Sequence, residues 1–277
     1  MINLLGSSGK PRKKLWSLLI LGLATTIFII ATAVKISPIF IGDFETGDFS
    51  GWEAQFCCEY SGEIVSSPTR AGNYAAKFTL NKNDPLVKGG KRAELKQRGV
   101  ALKGSEYWYG FSVYLPNDWV EDTASEIVAQ WHDIPDVWFG ETWRRPPFSL
   151  SINGKNWRIG NAWDPKIVTD KNNVAGSEML WSGPFEREVW TDWVFHVKWS
   201  HQSDGLIEVW KNGTKIVTKH GRITYNDLLV PYFKLGPYKY PWKNDKPASV
   251  TNKRVIYYDE ARIGNASASY EDIAPKS

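Results

Sequence analysis

The residues best suited to chemistry fall in three short stretches. They are Lys91-Arg92-Ala93-Glu94-Leu95-Lys96, Ile127-Val128-Ala129-Gln130-Trp131-His132 and Tyr232-Phe233-Lys234-Leu235-Gly236-Pro237-Tyr238. Each reads as a strand whose side chains alternate faces. A period of two sets Arg92 with Glu94, Gln130 with His132, and Tyr232 with Lys234 on one side. It sets Ala93, Leu95, Ile127, Ala129, Trp131, Phe233 and Leu235 on the other. A sheet gathering these strands has an apolar back and a front of Arg, Glu, Gln, His, Lys and Tyr. Such a front suits a substrate that carries carboxylates. Removing a proton beside a carboxylate builds charge on it, and a preorganised donor aimed at that charge contributes about 3–4 kcal/mol. Arg92 offers a permanent fork-shaped charge and Gln130 an amide donor. His132 and Tyr238 can each take or give a proton, a role that contributes on the order of 10²–10⁴ in rate. Pro237 confines its position to an edge or a bulge, so the face of Tyr238 does not follow from that of Lys234 by alternation.

Each of these residues also has a plainer reading. Arg92 and Glu94 fit a cross-strand ion pair, and Lys234 fits a solvated strand lysine. A lone histidine in a strand is more often structural than catalytic, the reading we give His196, His201 and His220. His132 differs because Gln130 shares its face.

The elements that must position these residues are all β. Beyond residue 40, short β-branched and aromatic runs are punctuated by Gly, Pro, Asn and Asp. Strands are predicted over 107–115, 193–199, 206–210, 214–218 and 254–263, with Asn212-Gly213 suited to a tight hairpin turn. The regions Trp138 to Pro147 and Trp163 to Pro184 are strand-poor and are predicted to form loops at the rim of a groove. No segment beyond residue 40 keeps a helical period. Many short strands without helices predict a sandwich or barrel, read as one domain over 40–277. The segments around Phe44 and Tyr258 are expected on neighbouring strands. Aromatic residues make up 14% of the chain, with 15 Trp. Those rings fit both a β core and stacking platforms for sugars, and composition alone does not separate the two uses.

The N-terminus reads as a targeting segment. Lys10, Arg12, Lys13 and Lys14 precede an apolar run that ends in Ala31-Thr32-Ala33. This pattern, over residues 1–33, fits a cleaved secretory leader, or a membrane anchor if cleavage fails. Either places the folded part outside the cytoplasm, secreted or periplasmic. The net charge of +4 resides in those four basic residues, so the remainder is neutral. No basic stripe is present, and a nucleic-acid partner is excluded. Cys57 and Cys58 are adjacent, compatible with a vicinal disulfide or, as we favour, two buried thiols. No zinc spacing is present.

Taken in order, the three stretches resemble the polysaccharide lyases of β-jelly-roll fold: the heparin lyase I type, the glucuronan lyases and, more distantly, the alginate lyases. Trp210-Lys211-Asn212-Gly213 and Tyr258-Asp259 support the resemblance, which covers nearly all of the chain after the leader. It implies a concanavalin-like jelly roll with a concave substrate groove, acting as a monomer on an acidic polysaccharide by β-elimination. It implies Tyr238 as the acid, His132 as the base or its assistant, and Glu94 as the residue that holds Arg92. Lys234, Trp131 and Tyr232 are candidate substrate contacts. No cofactor is needed for the chemistry, although Glu45 and Asp259 are candidates for a structural calcium site.

Two other classes compete. A non-catalytic, lectin-like or laminin-like sugar-binding module explains the fold and the tryptophans but not the grouping of Gln130, His132 and Tyr238. A glycoside hydrolase of this architecture needs two carboxylates, commonly as Glu-x-Asp-x-x-Glu. No Glu here has Asp two positions later, and Val128 stands where that Asp belongs after Glu126.

Overall fold

The computed structural model describes residues 38–97, 104–170 and 173–276. The leader expected over residues 1–33 lies outside them. Among the described residues, no helix is long and apolar enough to cross a membrane.

Fifteen strands appear in the described residues: β1 (Phe40–Gly42), β2 (Trp52–Gln55), β3 (Gly62–Val65), β4 (Ala75–Asn81), β5 (Glu94–Gln97), β6 (Glu106–Tyr114), β7 (Asp122–His132), β8 (Phe148–Gly154), β9 (Asn156–Trp163), β10 (Gly176–Pro184), β11 (Trp190–Lys198), β12 (Leu206–Lys211), β13 (Thr214–His220), β14 (Tyr232–Tyr238) and β15 (Lys253–Asn265). One sheet runs β13-β12-β11-β6-β15-β4-β3, with β1 also on β15. The other runs β10-β9-β8-β7-β14-β5-β2. This is the expected all-β jelly-roll sandwich. The two segments expected on neighbouring strands do pair, β1 with β15, and Phe40 lies opposite Ile263.

Strand alternation builds the core. Trp131 of β7, Phe148 of β8, Phe195 of β11 and Phe233 of β14 are buried between the sheets. The Trp131 ring lies 4.7 Å from both Phe148 and Phe195 and 5.2 Å from Phe233. Trp131 is therefore a core residue and not the substrate contact the sequence suggested. Its own alternation with Gln130 and His132 puts it on the apolar back. Burying a ring of this size contributes about 2–3 kcal/mol.

Three further expectations change. The span Trp163 to Pro184 is not all loop, because β10 pairs along β9. As the last strand of its sheet, β10 buries little of its surface, so its sequence carries only a faint pattern. Cys57 and Cys58 are joined in a vicinal disulfide and half-buried, not two buried thiols. Ile127, placed by simple alternation with Ala129, lies on the opposite face from it, for a reason that also shapes the groove.

Candidate active site

The groove face is carried by β2, β5, β7, β8 and β14. Opposite Leu150 of β8, strand β7 spends two residues, Val128 and Ala129, and both enter the core. This bulge flips the alternation, so Ile127 faces the groove with Ser125. On the other side of β7, Leu235 pairs with Ala129 and Tyr238 pairs with Ile127, leaving Gly236 and Pro237 opposite Val128. Gly236 takes φ of +127°, and a Cβ there would collide with the Ala93 carbonyl oxygen. The irregularity at Pro237 thus absorbs the register change, and Tyr238 still reaches the groove with Tyr232.

Arg92, His132, Arg144 and Tyr238 line two adjoining hollows of about 650 and 660 Å³. They form the waist of one open groove. On one side lie Glu53, Gln55, Lys88, Lys96, Tyr232 and Lys243; on the other Ser149, Ser151, Arg145 and Arg158. The Arg92 guanidinium carbon stands 4.2 Å from the centre of the Tyr238 ring. Gly90 makes room for this pair, since a Cβ there would approach Tyr238 to 2.6 Å.

Beneath the waist, Glu94 is the hub of a buried polar cluster. Its Oε2 accepts from Arg92 at 3.0 Å and from the Lys234 ammonium, and its Oε1 accepts from the Gln130 amide. Arg92 and Glu94 share a face and Glu94 holds Arg92, as the sequence reading implied. Gln130, Glu94 and Lys234 are almost wholly buried and sit under the groove floor. The Gln130 amide nitrogen is occupied by Glu94, and its Oε1 has no partner. Burial brings the Lys234 ammonium down to about 8, opposed by the Glu94 charge. Tyr238 is pushed up, chiefly by burial, with Arg92 pulling the other way. Burial also raises Tyr232.

His132 closes the waist. Its Nδ1 lies 3.0 Å from the Asp133 carbonyl oxygen and 3.1 Å from the Asp133 carboxylate. The carbonyl can only accept, so the proton of a neutral ring sits on Nδ1 and leaves Nε2 for the groove. The ring stacks on Tyr232 at 5.8 Å and meets the edge of Trp143 at 5.6 Å. Asp133 is in turn 3.2 Å from Arg144. The Arg144 side chain, without solvent exposure, also reaches Glu141 at 3.2 Å and Asp227 at 2.5 Å. Burial, with the neighbouring Asp133 and Glu141 charges, pushes Asp227 up to about 8 against the pull of Arg144. For Glu141 burial is outweighed: the Thr169 and Asp136 amides and Arg144 hold it low.

Asp133, Trp143 and Arg144 escaped sequence reasoning. Trp143 and Arg144 sit on a loop without a period, and nothing local marks Arg144 as buried. Glu53 and Gln55 were legible in principle, since Trp52-Glu53-Ala54-Gln55 alternates.

Glu45 and Asp259 do not serve one another. Glu45 accepts from the amides of Asn73 and Tyr74, and Asp259 from those of Arg70 and Ala71. Both carboxylates thus pin the turn over residues 70–74. Among the described residues, the acidic side chains that converge in a group are Asp136, Glu141 and Asp227, with Cys57, Cys58 and Asp84 as a mixed set. Arg144 already answers the first set with its own charge.

The comparisons with known proteins bear on the family and the fold. The family profile described as polysaccharide lyase matches residues 44–262. An endo-β-1,4-glucuronan lyase from the fungus Trichoderma reesei superposes with a TM-score of 0.71 at 23% identity, over 87% of this chain and 99% of that one. An alginate lyase from a Chlorella virus superposes at 0.53 with 16% identity, over 82% and 99%. The fold also serves a β-glucanase from Podospora anserina, at 0.51 and 12% identity over 83% and 93%. Among curated proteins no sequence matches this chain significantly. The profile spans most of the chain and includes the three strands that form the waist, so the chain belongs to the polysaccharide lyase family and is a polysaccharide lyase.

Proposed function

We propose that the enzyme cleaves a uronic-acid-containing polysaccharide by β-elimination, with glucuronan-like and heparin-like chains first among the candidates. The observation that carries this reading is the waist itself. A histidine with one nitrogen committed and the other free faces a protonated phenol beside a guanidinium. In this reaction His132 Nε2 takes the C5 proton of a uronate. Arg92 neutralises the charge that grows on the carboxylate. Tyr238 gives its proton to O4 as the C4–O4 bond breaks and the C4–C5 double bond forms. The raised Tyr238 suits an acid that must stay protonated until that moment. Gln130 acts from below, holding Glu94, which holds Arg92.

The cations along both arms of the groove support an acidic polymer running through it. Lys88 and Lys243 flank the waist on one side, and Arg145 and Arg158 on the other. The similar glucuronan lyase supports a polyglucuronate in particular. The leader and the Cys57–Cys58 disulfide both support export, because disulfides persist in oxidising compartments. N-terminal sequencing of the protein from its host should begin near Val34; an intact leader in the membrane fraction would mean an anchor instead.

The test is incubation with a panel of polyglucuronate, alginate, heparin-like chains and a neutral β-glucan. The expected result is ultraviolet absorbance from unsaturated uronate ends with an acidic member only. New reducing ends without a double bond would overturn elimination, and binding without cleavage would favour the sugar-binding module.

A further inference from the structure

The loop that supplies Trp143 and Arg144 also exposes an apolar surface that the groove does not use. Val137, Trp138 and Phe139 stand in solvent one after another, Trp138 at 95% exposure, and Leu228 stands beside the same loop. Three consecutive exposed apolar side chains are costly unless something covers them. The loop is held in place. Asp136 accepts from the Leu228 amide at 3.1 Å, and Glu141 accepts from the amides of Asp136 at 2.7 Å and Thr169 at 2.6 Å. Gly140, at φ +87°, closes a turn back onto Val137. Arg144 locks the base of the loop from within. The backbone that carries the rings is thus fixed, which lowers the cost of ordering the loop when a ligand stacks on them.

We propose that Trp138 and Phe139 form a platform for sugar units of the substrate chain beyond the groove. This rests on the polysaccharide lyase assignment but not on which polymer is cut. The C–H face of a pyranose ring is apolar and matches the face of an aromatic ring. Continuity argues for this occupant, since the same loop delivers Trp143 to the groove wall beside His132.

The test is a Trp138→Ala/Phe139→Ala double variant, compared with wild type on polymer and on a trisaccharide from the same polymer. Affinity electrophoresis through gels containing polyglucuronate, alginate or heparin supplies a readout independent of turnover. The variant should lose retardation and raise KM for polymer roughly tenfold, with the trisaccharide KM changed less than twofold. Unchanged polymer affinity overturns the platform, as does an equal loss on both substrates, which signals a displaced Trp143. Wild type that is retarded through these rings but forms no double bond leaves the platform standing and removes the elimination reading. Wild type neither retarded nor active removes both. If the double variant instead abolishes self-association in sedimentation, or binding to lipid vesicles, while retardation stays intact, another occupant covers the loop.

Discussion

Two histidines in this molecule sit on strands among carboxylates and aromatic rings, and only one is free to act. His196 of β11 lies 2.8 Å from Glu208 through Nδ1 and 2.6 Å from Glu106 through Nε2. It stacks on Trp108 at 3.9 Å. His132 has comparable company in Asp133, Tyr232 and Trp143, but only Nδ1 is engaged. Its other nitrogen opens onto the groove. The difference is one of commitment, not of burial or neighbours. A ring with both nitrogens tied fastens three strands together, while a ring with one tied is oriented and still reactive.

The largest expected effect breaks the reactive half of this contrast. Tyr238→Phe removes one hydroxyl and almost no packing area. It should lower kcat by on the order of 10³ with little change in KM, because the lost interaction belongs to the transition state. Steady-state kinetics on the polymer that the panel identifies decides this. Near-normal turnover would pass both proton transfers to His132.

Asp133→Asn comes next and sharpens the comparison. It removes the carboxylate charge 3.1 Å from Nδ1, which steadies the ring as it takes up the substrate proton, and it leaves the Asp133 carbonyl that accepts from Nδ1. A fall in kcat on the order of 10² is expected, with an altered acid limb in the pH profile. A merely structural Asp133 would lower the melting temperature and leave that limb in place.

Much of this was legible in the sequence. Period-two alternation gave the groove faces of β5 and β14 and the sharing of one face by Gln130 and His132. It failed at β7 beyond Ala129, because a bulge sends both Val128 and Ala129 into the core and turns Ile127 outward. No local signal marks that extra residue; it is set by pairing with Leu150 across the sheet. Alternation also does not reveal depth. Gln130 and Lys234 lie on the correct side but beneath the floor, where Glu94 binds them. The Arg144 hub was illegible because Asp133 and Glu141 precede it on a loop without a period and Asp227 joins it from 83 residues away.

His196→Ala tests the committed half. Two charged hydrogen bonds are lost and the Trp108 stack opens, so stability should drop by about 1–3 kcal/mol. Turnover should stay within roughly threefold, because the residue touches no part of the groove. Denaturant melts and kinetics on the same preparation check both. A large loss of activity at unchanged stability would end the distinction between the two histidines.

The smallest effect concerns the acids behind His132. Three carboxylates surround the single Arg144 charge, and a proton kept on Asp227 relieves the excess. Asp227 therefore titrates near 8 in the fold, far above its ordinary value of 3.8. A raised group adds stability that is fully present below the unfolded value, near pH 4. That stability is lost as pH rises through about 8. Asp227→Asn cannot ionise and keeps an oxygen for Arg144. Its melting temperature should fall less between pH 5 and pH 9 than that of wild type. In a domain of this size each kcal/mol corresponds to about 2–4 °C, so the two profiles should separate by a few degrees at the alkaline end. Parallel profiles would mean that Asp227 is already ionised at neutral pH, with Arg144 holding all three charges. In that case Arg144 balances Asp133, Glu141 and Asp227 without a shared proton, and Glu141→Gln would also track the wild-type profile.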